Sequence, residues 1–317
     1  MSPDRRLSVA PMMDWTDRHC RFFHRLLSPH AFLYTEMIHT NAIVRGDTHH
    51  HLYFRPEERA VALQLGGIEP KALAEAAKRG EEYGYAEINL NCGCPSDRVQ
   101  AGEFGACLME TPERVAEAVA AMKTAVKIPV TVKTRLGIDD KEDYQFLHDF
   151  VSTVHEQGGC DVFILHARKA WLKGLSPKEN RSIPPLDWNR PHRIKADFPK
   201  LEIITNGGFE TVSDIAAQFG PVDGVMIGRK AYHEPYFLTE LETALFKNGQ
   251  TPSRQSVVEK MIAYIDEERE RCTEAKRITK HLFGLFHGQK NSKACKHALM
   301  VSAKSNTTKA LFDFAKE

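Results

Sequence analysis

No stretch of about 18 consecutive apolar residues occurs in this 317-residue chain, so it offers no candidate membrane-spanning helix. The opening Met-Ser-Pro-Asp-Arg-Arg carries no apolar segment of the kind that directs secretion. Cysteine is scarce and odd in number: seven residues, scattered, with no spacing that reads as a disulfide framework. A reducing cytoplasm is therefore the expected compartment, with no membrane involved. No Cys-x-x-Cys pair and no histidine at zinc spacing accompanies Cys92, Cys94 or Cys107, so no metal is expected there. Solenoid-length repeats and low-complexity linkers are also missing. With 42% apolar and 27% charged side chains, the composition excludes a disordered, collagenous or coiled-coil chain. A chain of this length buries roughly three quarters of its unfolded surface and needs no covalent staple.

Net charge is nearly absent as well, at 43 basic against 42 acidic residues. The distribution is uneven. From Ala275 to Phe312 there are eight basic residues and no acid, which leaves 35 basic against 42 acidic elsewhere. That is a basic tail on an acidic body. A second basic zone runs from His166 to Lys195, where eight Lys and Arg face only Glu179 and Asp187, with Trp171 among them. The two zones read either as a track for a phosphate backbone or as solvated faces.

What the chain does contain is an alternation of short β-branched runs with longer helical stretches. The runs are Leu7–Met12, Phe32–Met37, Val61–Leu65, Ala86–Leu90, Val130–Thr134, Val162–His166, Glu202–Thr205 and Gly224–Ile227. The helical spacing is clearest over Pro70–Tyr83, Pro112–Val126, Tyr144–Gln157, Val212–Phe219 and Pro235–Phe246. Eight strands alternating with helices over about 240 residues predict an α/β fold, a (β/α)8 TIM barrel. A doubly wound sheet would want a Gly-x-Gly-x-x-Gly turn after its first strand, and Pro11-Met12-Met13-Asp14 is not one. The turn-rich Asn248-Gly249-Gln250-Thr251-Pro252 places a boundary between a catalytic barrel, 1–248, and a small C-terminal all-α helical domain, 249–317. Val257–Cys272, Ile278–His287 and Ala294–Ala303 are its expected helices.

Catalytic groups of such barrels sit at the C-terminal strand ends. The fourth run continues as Asn89-Leu90-Asn91-Cys92-Gly93-Cys94-Pro95, with Glu87, Asn89 and Asn91 on one face. A polar stripe there lines a ligand cavity or forms a hydrogen-bonded core pair. Cys94 falls just past the strand, where a thiol of ordinary pKa about 8.5 can donate a proton. Lys133 and Arg135 share a face near the end of the fifth strand and need an anion, an electron-rich ligand or a salt bridge to Glu87. His166 ends the sixth. Asn206, Gly207 and Gly208 follow the seventh, and Gly228 with Arg229 the eighth; this is the recurring phosphate site of barrels. Gln64 stands ready for a polar ring edge, and Pro11, Met12 and Met13 form a ledge for a flat group. A phosphate anchor, a cation against a ring, an amide and a proton-donating thiol suit bound FMN as cofactor. His49-His50-His51 reads as an exposed loop rather than a metal site.

At these residues the chain resembles the tRNA-dihydrouridine synthases, flavoproteins that reduce uridines in the tRNA D-loop. The likeness rests on Ala10-Pro11-Met12-Met13-Asp14, Glu87 to Pro95, Lys133-Thr134-Arg135-Leu136-Gly137, His166-Ala167-Arg168 and Asn206-Gly207-Gly208. Gly174 to Arg181 with Ile183-Pro184-Pro185-Leu186 is similar to the subfamily acting at positions 20 and 20a. The resemblance implies that Cys94 gives a proton to uracil C5 while flavin hydride goes to C6. It implies an FMN site of Pro11, Met12, Met13, Gln64, Lys133, His166, Asn206, Gly207, Gly208, Gly228 and Arg229. Asn91 would touch the uridine; Lys178, Arg181, Lys293 and Lys296 would contact tRNA. NADPH, or NADH, would be the electron donor, and a monomer is expected. A flavin barrel acting on a free pyrimidine, a non-catalytic tRNA-binding barrel and a Schiff-base aldolase using Lys133 are the other readings left open by the residues.

Overall fold

Val, Ile and Leu make up much of the eight runs, a composition suited to strands covered on both sides. In the computed structural model, which describes residues 3–247 and 251–316, they form eight parallel strands. These are β1 (Leu7–Val9), β2 (Phe32–His39), β3 (Val61–Gly66), β4 (Glu87–Cys92), β5 (Val130–Thr134), β6 (Val162–His166), β7 (Glu202–Asn206) and β8 (Gly224–Ile227). They close into a barrel in sequential order, β8 pairing with β1. The fold is the (β/α)8 barrel that the alternation predicts. β1 is shorter than expected: Pro11 has no N–H, and the Met12 N–H goes to Thr16 Oγ1 at 2.9 Å, so the ladder stops.

The surrounding helices begin and end on recognisable chemistry. Asp143 caps the helix Tyr144–Gly158 by accepting from Phe146 N, and Gly159 closes it at φ +69°. Asp17 caps Arg18–Leu27, a helix the periodicity did not single out. The stretch Val212–Phe219 is helical only to Ala216, then tightens into i→i−3 turns through Gln218 and Phe219. His49, His50 and His51 lie on a short helix, Thr48–Leu52, rather than in a loop. Among the described residues no group of His, Cys, Asp or Glu is placed to hold a metal, and no helix is long and apolar enough to cross a membrane.

The floor of the barrel is ionic. Glu87 is fully buried and accepts from Arg5 at 2.6 Å, Tyr34 at 2.7 Å and Thr131 at 2.6 Å. A buried carboxylate this well supplied has no need of a second cation. The considered salt bridge from Lys133 to Glu87 is therefore not formed, and Lys133 is left facing the other end of the barrel.

Beyond the barrel lie the helices Arg254–Glu270, Ala275–Thr279, Ser292–Ser305 and Lys309–Lys316. The expected boundary at Asn248-Gly249-Gln250 falls outside the described residues. The expected helix Ile278–His287 is not there. Leu282, Leu285 and Phe286 are buried at helical spacing, but the segment runs as successive i→i−3 turns. Within it Gly284 packs closely on the barrel: a Cβ there would lie 2.2 Å from the carbonyl oxygen of His233. The C-terminal helices share one apolar core with the barrel. Tyr264 stacks on Phe22 at 3.9 Å, and the buried Glu268 binds Arg18 at 2.6 Å and Arg55 at 2.7 Å.

Candidate active site

The C-terminal strand ends open into a cavity of about 480 Å³, within the range that takes a cofactor-sized ligand. The register of the closed sheet sets its walls: Asn91 on β4 pairs with Lys133 on β5, and His166 on β6 with Asn206 on β7. Pro11, Met12, Met13, Gln64, Asn91, Cys94 and Lys133 all line it, as do His166, Asn206, Gly207, Gly208, Gly228 and Arg229. The residues assigned to a cofactor from the sequence thus converge on one space.

The polar stripe changes character along the barrel axis. Deep in the barrel it is a satisfied ladder, with Asn89 Nδ2 donating to Thr131 at 2.8 Å and Gln64 Nε2 donating to Asn89 at 2.8 Å. Higher up it becomes wall. Asn91 Nδ2 donates to Gln64 Oε1 at 2.9 Å, while Asn91 Oδ1 accepts from the backbone N–H of Gly93 at 3.2 Å and Cys94 at 3.0 Å. Asn91 therefore fixes the loop that carries Cys94, and one Nδ2 hydrogen remains for a ligand. The Cys94 thiol is half-buried at the rim, with Sγ 3.5 Å from Ser96 Oγ. Gly105, at φ +81°, lets the far end of this loop return against the Cys94 carbonyl; a Cβ there would meet that oxygen at 2.5 Å.

The opposite wall is electropositive and under-satisfied. Burial, then the neighbouring Arg135 charge, pull the Lys133 amine down to about 7. Burial and the charges of Arg135 and Lys133 hold the His166 imidazole well below its ordinary range. Its Nδ1 is buried with no hydrogen-bond partner among the described residues. Both groups gain from a polar or anionic ligand. Gly207 (φ +103°) and Gly208 (φ +82°) lie beside them, and a Cβ on Gly207 would meet the His166 ring at 2.9 Å. Their backbone takes a path open to glycine that presents peptide groups to the cavity.

Two wall residues also make contacts within the protein. Asn206 uses its Nδ2 to hold β8, donating to Met226 O at 2.7 Å. Arg181, which the family resemblance assigns to tRNA, stands in the cavity wall, where Arg229 donates to its carbonyl at 2.8 Å. Arg135 also reaches the wall, braced on the carbonyls of Gly93 at 3.1 Å and Asn180 at 2.8 Å. Trp15 and Met37 line the cavity without a sequence signal, because only chain closure brings them there.

The basic rim is smaller than its sequence count. Lys169, Arg190 and Lys195 pair with Glu142, Asp187 and Asp223, and Arg193 lies over the Tyr144 ring. Lys173 and Lys178 remain exposed near the mouth. Lys293 and Lys296 are exposed on the Ser292–Ser305 helix, with no carboxylate partner among the described residues.

The family described as "Dihydrouridine synthase (Dus)" matches this chain over residues 8–317. The chain belongs to that family. A tRNA-dihydrouridine(20/20a) synthase of Vibrio cholerae is 53% identical over 307 residues, spanning 96% of this chain and 93% of that protein. One from Escherichia coli strain K12 is 54% identical over 284 residues, 89% of this chain and 82% of its own. Among solved structures, a 2-naphthoyl-CoA reductase complex (TM-score 0.58, 11% identity) covers 76% of this dihydrouridine synthase and 50% of that chain. An old yellow enzyme homologue from Zymomonas mobilis (TM-score 0.54, 10% identity) covers 78% of it and 90% of its own length. These two share the barrel fold. The family match of the synthase runs through the C-terminal helices as well as the barrel.

Proposed function

We propose that this dihydrouridine synthase reduces uridine to 5,6-dihydrouridine in the D-loop of tRNA, at positions 20 and 20a, with FMN as cofactor and NADPH as electron donor. The observation that carries this reading is the layout of one cavity: glycine-lined backbone at one end, Lys133 and a His166 ring whose Nδ1 has no hydrogen-bond partner among the described residues between, and the Cys94 thiol at the rim. Those residues fit FMN. Gly207, Gly208, Gly228 and Arg229 would take its phosphate, Lys133 and His166 the polar edge of its ring, and Pro11 to Met13 its face. Bound there, the reduced flavin supplies the hydride that reaches C6 of uracil.

The chain's own residues do the rest. Cys94 delivers the proton to C5 and recovers one from solvent, and a positioned acid of this kind is worth about 10²–10⁴ in rate. Asn91 holds both the Cys94 loop and the uracil edge. Drawing a uracil out of a folded tRNA costs a few kcal/mol, which contacts from Lys178, Arg181, Lys293 and Lys296 offset. The region 249–317 acts as the tRNA-binding domain on the barrel 1–248. A free pyrimidine would leave its unpaired lysines without a role.

Cys94→Ala should keep FMN and tRNA binding while losing dihydrouridine formation by about a hundredfold or more. Unchanged turnover would remove Cys94 from the chemistry. A colourless protein from which no flavin can be extracted or reloaded would overturn the whole reading.

A further inference from the structure

The loop between β1 and the helix Arg18–Leu27 contributes six consecutive residues, Ala10 to Trp15, to the cavity wall. It is short, and Asp14 at its tip holds a φ of +65° without being glycine. Such a conformation persists where surrounding contacts over-determine it. Some of those contacts are local: Trp15 N and Thr16 N both donate to Met12 O, and Asp14 N donates to Glu36.

The others come from about 265 residues away in sequence. Lys280 Nζ donates to the Asp14 carbonyl at 3.0 Å and pairs with Asp17 at 3.3 Å. His281, fully enclosed, reaches Asp17 with Nε2 at 3.0 Å and the Tyr232 hydroxyl with Nδ1 at 3.2 Å. Tyr232 in turn stacks flat on Trp15, 4.4 Å between rings and 9° from parallel. Asp17 is also the N-cap of the helix that leaves the loop, accepting from His19 N and Cys20 N. The shelf is thus gripped at its tip, its aromatic wall and its exit by one dipeptide of the C-terminal region.

We infer that Lys280, with His281 behind it, is a positioning residue for the cofactor shelf, and that the C-terminal region is part of the cavity's construction. This rests on the FMN reading above. Lys280 belongs to the basic tail, so a phosphate contact to tRNA is the competing role for the same side chain. The two roles separate cleanly. A shelf clamp acts on the cofactor when no RNA is present, whereas a phosphate contact acts only through RNA.

The test uses the full-length protein with wild type, Lys280→Ala, Lys280→Arg and, as a tail lysine without barrel contacts, Lys304→Ala. Three quantities are read without tRNA: FMN affinity by fluorescence quenching, the rate of flavin reduction by NADPH, and amide exchange over residues 10–17. Lys280→Ala should weaken FMN by about fivefold to tenfold, slow reduction and speed exchange in the loop. Lys280→Arg should recover most of each, and Lys304→Ala should change none. If Lys280→Ala matches wild type in all three and loses only tRNA affinity, the clamp is refuted and the phosphate role stands. If wild type itself binds no FMN, the functional reading has failed first, and exchange in the loop alone decides the clamp.

Discussion

Lys133 offers the sharpest quantitative test of the cavity. Burial and the Arg135 charge bring its amine to about 7, far below an ordinary lysine, because no carboxylate among the described residues repays its desolvation. A ligand that keeps it protonated, as an electron-rich ring edge would, raises that value again, so binding above pH 7 takes up a proton. The sign follows: in the empty protein the charged form is complete below the depressed pKa and vanishes above it, so FMN affinity falls as pH rises. For full uptake of one proton the dissociation constant should rise about 15-fold between about pH 7 and pH 8.5. The phosphate is already dianionic across that window, its second pKa being about 6. His166, held well below its ordinary range, remains neutral there. Titrating FMN fluorescence with apoprotein gives the slope. Lys133→Met should flatten it. A pH-independent affinity in the lysine protein, or an equal slope in the methionine variant, would refute the assignment. The same depression predicts that apoprotein stability rises from about pH 7 toward 10, as the unfolded lysine stops binding the extra proton.

Other outcomes follow from particular contacts. Gly207→Ala forces a Cβ to 2.9 Å from the His166 ring on a backbone at φ +103°, so FMN affinity should drop about tenfold, read by the same quenching assay. Lys293→Ala with Lys296→Ala should weaken tRNA and flatten log Kd against log salt by one to two phosphate equivalents, about 0.7–1.8 in slope; an unaltered slope would remove both from the interface. Glu268→Ala removes the carboxylate of Arg18 and leaves Arg55 with Glu267 alone, and should cost about 3 kcal/mol in urea unfolding. A loss below about 1 kcal/mol would mean that the tail is only loosely tied to the barrel.

Much of this protein is settled locally. Alternating β-branched runs and capped helices specify eight strands, and period-two alternation decides that Asn91 faces inward with Glu87 and Asn89. Gly207 and Gly208 after the seventh run mark backbone that a ligand can approach, since φ values above +80° are available to few other residues. For those reasons candidate cofactor residues could be named from the chain alone, and they line one cavity. Partnership between distant residues is another matter. That Glu87 belongs to Arg5 and not to Lys133, that Arg181 turns inward, and that Lys280 grips Asp14 are all contacts across tens to hundreds of positions. No local propensity encodes them, because they exist only once the barrel has closed and the tail has docked. The segment after Ile278 shows the limit from the other side. Its apolar spacing is helical and its apolar side chains are buried, yet the segment, with Gly284 pressed against the His233 carbonyl, runs as successive i→i−3 turns. Periodicity fixes which face is buried; the surface it is buried against fixes the shape.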